Sequence, residues 1–474
     1  MTSVENYLPI GSYKNSVVTL IFVLAALPLY FLITVILNPE NSERWYNYIN
    51  YSLGLFLFYA PLGIVGIWKW GVWAIKKTYA LSYNEIIPNA ISLTNPTFSI
   101  VTAVFNEKRK TFEDALISWD KNNPNEIIAV IDHTDLDCID VFTKFSKGKS
   151  YAKLIVTSKI GKREAIADGI SKASEPIVAL VDSDTIWSEN LKEKALAPFQ
   201  FHDIGGVTVR CHPIEVKTIY QKMTDFVWDA RNFYDLPSQT TMGHSLTCLT
   251  GRTSFYRRKI LLPKLEIYKN EILFGVKKES GDDKCLTRLL QLDGWKTYYQ
   301  RNAVVFSSAS KDFKTFMNQR IRWSRNSHNS DMESLLKNNA WERFPSLAFY
   351  MTDRFFSIFT IFLGPIYLGL SIYLNHWFIT YTILILWFVG RGIRTLPHLQ
   401  RKPKDLIFLP VFIVFQFISG LAKLYALVTL KDQEGIRDRI KIKNKQIVEY
   451  RQIKGMIITA EVLMGMAFLA YLGL

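Results

Sequence analysis

Cysteine is scarce in this chain and nowhere arranged for bonding. There are four in 474 residues, Cys138, Cys211, Cys248 and Cys285, with no Cys-x-x-Cys pair and no histidine at zinc spacing. That pattern argues against a disulfide framework and a structural zinc module, and makes reduced thiols the expectation. A cleavable export signal is not expected either, because the first apolar run is too long for one and no small-residue cleavage site follows it. Acidic residues are outnumbered, 42 against 57 lysines and arginines, for a net charge of +15. Such a chain could meet nucleic acid, anionic lipid or phosphorylated substrates, and the placement of the charge has to decide.

Apolar residues are plentiful, 49% of the chain with 14% aromatic, and they come in blocks. Residues 16–37 carry no charge over 22 positions, about 33 Å as a helix, which matches a bilayer core. Further blocks at 51–68, 346–374, 377–389, 406–430 and 456–472 bring the expected spans to about six. Basic residues fall on alternate links. Residues 38–50 hold only Arg44 and the link after the third span holds none, whereas 391–405 hold five and 431–455 hold eight. That alternation predicts a multi-pass plasma-membrane protein with its N-terminus and large middle domain in the cytoplasm and its C-terminus outside. The positive charge then belongs to cytoplasmic membrane edges, the bilayer is the expected partner, and no nucleic-acid partner is needed. The expected division is an N-terminal membrane region at 1–95 with two spans and a cytoplasmic domain at 96–330. An interfacial helix and about four more spans follow at 331–474, with a cytoplasmic segment at 431–455.

In the middle domain short β-rich runs alternate with helical stretches. Residues 98–105 end at Asn106 and Glu107, 127–131 at Asp132, 154–157 before a Gly161-Lys162-Arg163 loop, and 177–181 at Asp182. This pattern predicts an α/β domain with a mostly parallel sheet and ligands at the strands' C-terminal ends. Asp182 and Asp184 stand one residue apart just after a buried strand, where one or both can reach a divalent cation that holds a diphosphate. Asp135 and Asp137 repeat the spacing without a strand leading into them, and are read as a solvated turn. Gly161-Lys162-Arg163 opens a helix and suits a phosphate, or is an exposed basic turn. Asp282 and Asp283 head another helix, as caps or with one carboxylate as a general base. Gln319, Arg322 and Trp323 lie in a basic amphipathic segment. It is either an interfacial helix or a site where Arg322 grips a diphosphate oxygen and Trp323 a sugar face.

In that order these motifs resemble the processive family-2 glycosyltransferases: the hyaluronan, cellulose and chitin synthases and bacterial capsule synthases. Residues 205–209, Cys248 to Thr253, and Phe274-Gly275 are most similar to the pneumococcal type 3 capsule synthase and hyaluronan synthases, while Thr250-Gly251-Arg252 is also similar to alginate polymerases. Hyaluronan synthases usually carry Gly-Pro where Gly251-Arg252 stands, and in the family a second Asp commonly follows the position of Asp132, where this chain has His133. The resemblance implies a GT-A-type, Rossmann-like domain joined to a helical membrane bundle, a UDP-sugar donor, Mg²⁺ or Mn²⁺, and a growing β-linked polysaccharide as acceptor. It places Asp132 at the uridine, Lys162 at the diphosphate, Asp182 at nucleotide and metal, and Asp184 on the metal. Asp283 becomes the base; Asp282, Gln319 and Trp323 line the acceptor, and Arg322 and Arg437 contact the diphosphate. Two other readings stay open: a non-processive membrane transferase with a lipid acceptor, and a transporter with a nucleotide-sensing domain. The sugar and the oligomeric state are not legible.

Overall fold

The structure, a computed structural model, describes residues 42–88, 96–431 and 445–471. The first expected span and Arg437 lie outside the described residues. The described residues form two compact units, one comprising 76–88, 96–353, 429–431 and 445–449, the other 42–75, 354–428 and 450–471.

In chain order, helix α1 (Ser42–Leu81) precedes β1 (Phe98–Val104), α2 (Arg109–Asp120), β2 (Glu126–Asp132), α3 (Leu136–Ser146), β3 (Ala152–Thr157), α4 (Lys162–Lys172) and β4 (Ile177–Val181). Next come β5 (Ile186–Trp187), β6 (Ile204–Pro213), α5 (Ile219–Ala230), β7 (Thr253–Arg257) and a small hairpin of β8 (Ile272–Leu273) and β9 (Val276–Lys277). The domain closes with α6 (Asp282–Leu292), β10 (Lys296–Ser307) and α7 (Phe313–Leu336), ahead of α8 (Pro345–Tyr373), α9 (Trp377–Arg394), α10 (Leu409–Val428) and α11 (Lys445–Tyr471).

Eight strands form one sheet in the order β3-β2-β1-β4-β7-β6-β10-β5. β1 runs parallel to both β2 and β4, β2 to β3, and β6 to β10; β7 and β5 run against their neighbours. The expected mostly parallel sheet is present. β2 is buried along its whole length, which is why it reads as an unbroken apolar run and not as an alternation. Each of Ile127, Ile128, Val130 and Ile131, fully buried, contributes about 1.5–3 kcal/mol relative to exposure. The chain passes from β1 outward to β3 and then returns to the other side of β1 as β4. The switch point of this topology, where ligands of open α/β sheets bind, therefore lies between the C-terminal ends of β1 and β4.

The second unit is helical. Among the described residues four helices are long and apolar enough to cross a membrane: Leu53–Leu81, Pro345–Tyr373, Pro403–Val428 and Gln452–Tyr471. Four of the six expected spans therefore have such a helix. The expected 377–389 span forms α9, but that helix is 18 residues long and ends in Arg391 and Arg394, so it falls short of the other four. Within this unit Gly364 allows α8 to approach α9, because a Cβ there would lie 2.5 Å from the Trp387 ring. Lys69 Nζ donates to Ser357 Oγ at 2.7 Å, and Tyr59 Oη meets His376 Nδ1 at 3.1 Å. Outward-facing Phe56, Leu57, Ile64 and Ile67 on α1 are well exposed, as expected of a surface that meets lipid rather than water.

Candidate active site

Polar residues gather at the switch point because each parallel strand ends in one. Asp132 closes β2 and is buried; its Oδ1 accepts from the Thr134 amide at 3.0 Å and the Thr134 hydroxyl at 2.5 Å. Glu107 follows β1, and Asp182 and Asp184 follow β4. The Asp182–Thr185 turn is held from behind. The Thr185 amide donates to the Asp182 carbonyl at 3.0 Å, and the buried Trp119 indole donates to the Thr185 carbonyl at 2.8 Å. Asp184 Oδ2 accepts from the Ser308 amide at 3.2 Å and lies 3.4 Å from Ser307 Oγ, both at the end of β10.

Across the cleft α6 begins at Asp282, after Gly281 in the left-handed region at φ 79°. A side chain at Gly281 would meet Asn326 at 3.0 Å as well as the strained backbone, so glycine fixes where α6 starts. This brings Asp282 and Asp283 opposite the end of β4. Lys162 joins the two sides: its Nζ is 2.6 Å from Asp182 Oδ1 and 3.1 Å from Asp282 Oδ2. Gly251 packs over the same cluster, with a Cβ there 3.7 Å from both Asp182 oxygens and 3.8 Å from Asp282 Oδ2. Val101, Ala103, Ile166 and Leu286 supply apolar walls to a cleft that also takes in Lys162, Asp182, Asp282 and Asp283.

The electrostatics follow from this crowding. Burial works against the Lys162 ammonium, but Asp182 and Asp282 outweigh it and hold its pKa above the ordinary lysine range. Burial raises the Asp182 carboxyl, and the charges of Asp184 and Asp282 add to that rise against the pull of Lys162. Asp282 is buried too, yet Lys162 and then Arg163 bring it below the usual carboxylate value. Glu107 is raised by burial and, next among the raising influences, by Asp184. Lys162 contacts Asp182 and Asp282, Asp283 lines the same cleft, and the charges of Asp184 and Asp282 act on Asp182. Hard oxygen donors in such excess suit a divalent cation.

The expected pair of cations at the start of α4 divides. Lys162 faces the carboxylates, but Arg163 turns inward to Glu271 at 2.6 Å and to the carbonyls of Tyr268 and Ser280. It is structural. The second Asp-x-Asp is no site either: Asp135 caps α3 by accepting from the Cys138 amide, and Asp137 pairs with Arg109 on the surface. All four cysteines are buried and free.

Gln319, Arg322 and Trp323 lie on α7 and make no direct contact with the carboxylates in this structure. Gln319 accepts from Ser310 Oγ at 3.1 Å, Arg322 is exposed, and Trp323 is half-buried. Trp323 approaches the site through a residue with no expected role. The Asp182 amide donates to the Arg252 carbonyl at 3.2 Å. The Arg252 guanidinium lies 4.1 Å over the Trp228 ring and 5.3 Å from the Trp323 ring. Arg320, one turn before Trp323, stands 5.6 Å from the same indole. Glu107 was legible as a polar residue at a strand end. Trp228, Arg252 and Arg320 were not, because only the folded chain brings them together.

A mostly parallel sheet with acids and one lysine at its switch point has the layout of a GT-A-type domain. Residues 96–326, just under half of the chain, match the family described as glycosyltransferase like family 2. Relatives include a type 2 glycosyltransferase of Zymoseptoria tritici, 26% identical over 410 residues that cover 77% of this chain and 83% of the relative. Another is a hyaluronan synthase of Streptococcus pyogenes, 26% identical over 295 residues, 60% of this chain and 67% of that one. Among solved structures, a mannosyltransferase from Pyrobaculum calidifontis, in complex with GDP-Man and Mn²⁺, superposes with a TM-score of 0.53 at 15% identity. It covers 77% of this chain and 99% of that one and supports the fold. The chain joins a glycosyltransferase domain to helices long and apolar enough to cross a membrane.

Proposed function

We propose that this glycosyltransferase is processive and inverting, takes UDP-sugars on the cytoplasmic face, and passes a β-linked polysaccharide outward through its membrane helices. The observation that carries the reading is Lys162 bridging Asp182 and Asp282 at the switch point, with Asp283 one residue further along α6. In this reading Asp132 receives the uridine, and Lys162, Arg322 and Arg437 receive the diphosphate. Asp184 with Asp182 would hold Mg²⁺ or Mn²⁺, which when bound offsets charge on the leaving diphosphate. Asp283 takes the proton of the acceptor hydroxyl as that oxygen bonds to the anomeric carbon. The bond from that carbon to the diphosphate breaks, UDP departs, and an α-linked donor becomes a β-glycoside. Asp282, Gln319 and Trp323 line the acceptor side.

The domain layout belongs to the same proposal: membrane regions at 1–95 and 331–474 around a cytoplasmic catalytic domain at 96–330. Asp353, at the head of α8, pairs with Lys76 at 2.8 Å. The test is UDP release by purified full-length protein given UDP-glucose, UDP-N-acetylglucosamine and UDP-glucuronate, singly and in pairs, with the product sized. Long polymer supports the reading. A lipid carrying a single sugar replaces it with a non-processive transferase, and no UDP release from any donor rejects it.

A further inference from the structure

α6 carries Asp282 and Asp283 at the cleft, and a separate small cavity lies at the same helix start. Charge there is unbalanced in the opposite sense. Arg163 and Arg288 both pair with Glu271, each at 2.6 Å, and Lys284 pairs with Asp331 at 3.1 Å. Lys278, just after β9, is 5% exposed. Its backbone amide donates to the Glu271 carbonyl at 2.8 Å, but its ammonium has no ion-pair or hydrogen-bond partner among the described residues. Three cations therefore share one carboxylate, where buried charges are ordinarily paired. Burial lowers the Lys278 pKa to about 8, and Glu271, already divided between two arginines, pulls it back only in part. The lysine is thus still charged at pH 7. It lines the cavity together with Ser280, Gly281 and Asn326. Ser280 Oγ donates to Asn326 Oδ1 at 2.9 Å, so the asparagine oxygen is taken and its NH₂ group keeps two N–H donors to offer. Ser280 and Gly281 lead into the first turn of α6, the positive end of that helix.

We propose that this cavity, bordered by the β8–β9 hairpin, α6 and α7, is a binding site for a monatomic anion such as chloride, held by the Lys278 ammonium, the Asn326 amide and the start of α6. The cavity has room for little more than one water-sized occupant, which excludes phosphate, sulfate and organic acids. A water molecule there would leave the ammonium without a counter-charge, and a metal cation would be repelled by Lys278. The carboxylate oxygens that border the space, those of Glu271, are already engaged by Arg163 and Arg288. A bound halide would steady the helix start that carries Asp282 and Asp283. The site does not depend on which sugar is transferred or to what acceptor.

The test follows the melting temperature of full-length protein in detergent at pH 7 as sodium chloride or sodium bromide replaces sodium gluconate at constant ionic strength. Either halide is expected to raise it by about 2–4 °C and to saturate, as a ligand of the folded state does, while sodium sulfate should give no saturating rise. Lys278→Met should melt above the unaltered protein in gluconate, since no charge is left to bury, and should not respond to halide. Asn326→Asp places a carboxylate inside the cavity. It should likewise melt higher in gluconate and lose the halide response, because the fixed charge stands in for the ion. No halide response in the unaltered protein overturns the proposal. So does an equal response in Lys278→Met or Asn326→Asp, which would place the halide elsewhere.

Discussion

Two ends of the catalytic domain's ligand edge, the acid cluster after β4 and the aromatic face of α7, handle charge in opposite ways. At the end of β4, Asp182 and Asp282 share Lys162 at 2.6 and 3.1 Å, and the remaining negative charge calls for a divalent cation. At the α7 end, Arg252 and Arg320 flank Trp323 with aromatic faces in place of counter-ions. The first arrangement suits chemistry, since it is poised to stabilise a diphosphate as charge develops on it. The second holds its cations against aromatic faces: Trp228 and Trp323 for Arg252, Phe316 and Trp323 for Arg320. A division of labour follows: changes at the acidic end should lower turnover, and changes at the aromatic end should weaken hold on the acceptor.

The largest expected effect would establish or break that division. Asp283→Asn should lower UDP release by about 10³-fold, within the range for a lost general base, with UDP binding unchanged by calorimetry. Normal turnover in this variant would remove Asp283 from the chemistry. Chelation should follow, lowering turnover by about 10²-fold with recovery on adding Mn²⁺ or Mg²⁺, since a metal offsets several kcal/mol of developing charge. Trp323→Leu should instead shorten the product and raise the acceptor requirement roughly tenfold, as loss of a single stacking platform would. A fall in turnover as deep as that of Asp283→Asn would merge the two ends into one. Trp119→Phe keeps the buried ring but loses the hydrogen bond to the Thr185 carbonyl. It should cost about 1 kcal/mol of stability in a melting experiment and raise the metal concentration needed for half activity a fewfold.

The smallest effect is a pH test away from both ends. Burial lowers the Lys278 pKa to about 8 in the folded chain, against about 10.4 when unfolded. Below about pH 8 both states carry the proton and the cost of burying the charge is fully present. Between pH 8 and 10 the folded state gives up that proton before the unfolded state does, so this group's contribution to stability rises with pH. Lys278→Met should raise the melting temperature near pH 7 and flatten its rise toward pH 10. An unchanged slope would show that this lysine does not feel its burial.

Much of the fold could be read from the sequence for a simple physical reason. β1, β2 and β4 are buried on both faces, so each appears as a short apolar run that ends on the residue facing the ligand edge. β7 and β10 were harder to see, because Thr253 to Arg257 is too short and mixed to stand out and β10 carries Gln300, Arg301 and Asn302 in its middle. Of the candidate residues, Lys162, Asp182 and Asp282 are in direct contact and Asp283 lines their cleft. A helix start announces its cations, but not which way each turns, and so Arg163 read as a possible phosphate ligand although its partner is Glu271, 108 residues away in sequence. On α7 the visible spacing drew attention to Arg322, which is exposed, while Arg320 shares the Trp323 face because three residues make nearly one helical turn.

β7 runs against both of its neighbours, and the residues just before it come back beside the last residue of β4. Residue 252 therefore serves two masters through separate parts. Its carbonyl steadies the amide of Asp182, a task any amino acid can perform, and its side chain alone reaches the Trp323 ring. Exchanging that side chain would change what lies against the indole and leave the backbone bond that holds the Asp182 turn in place.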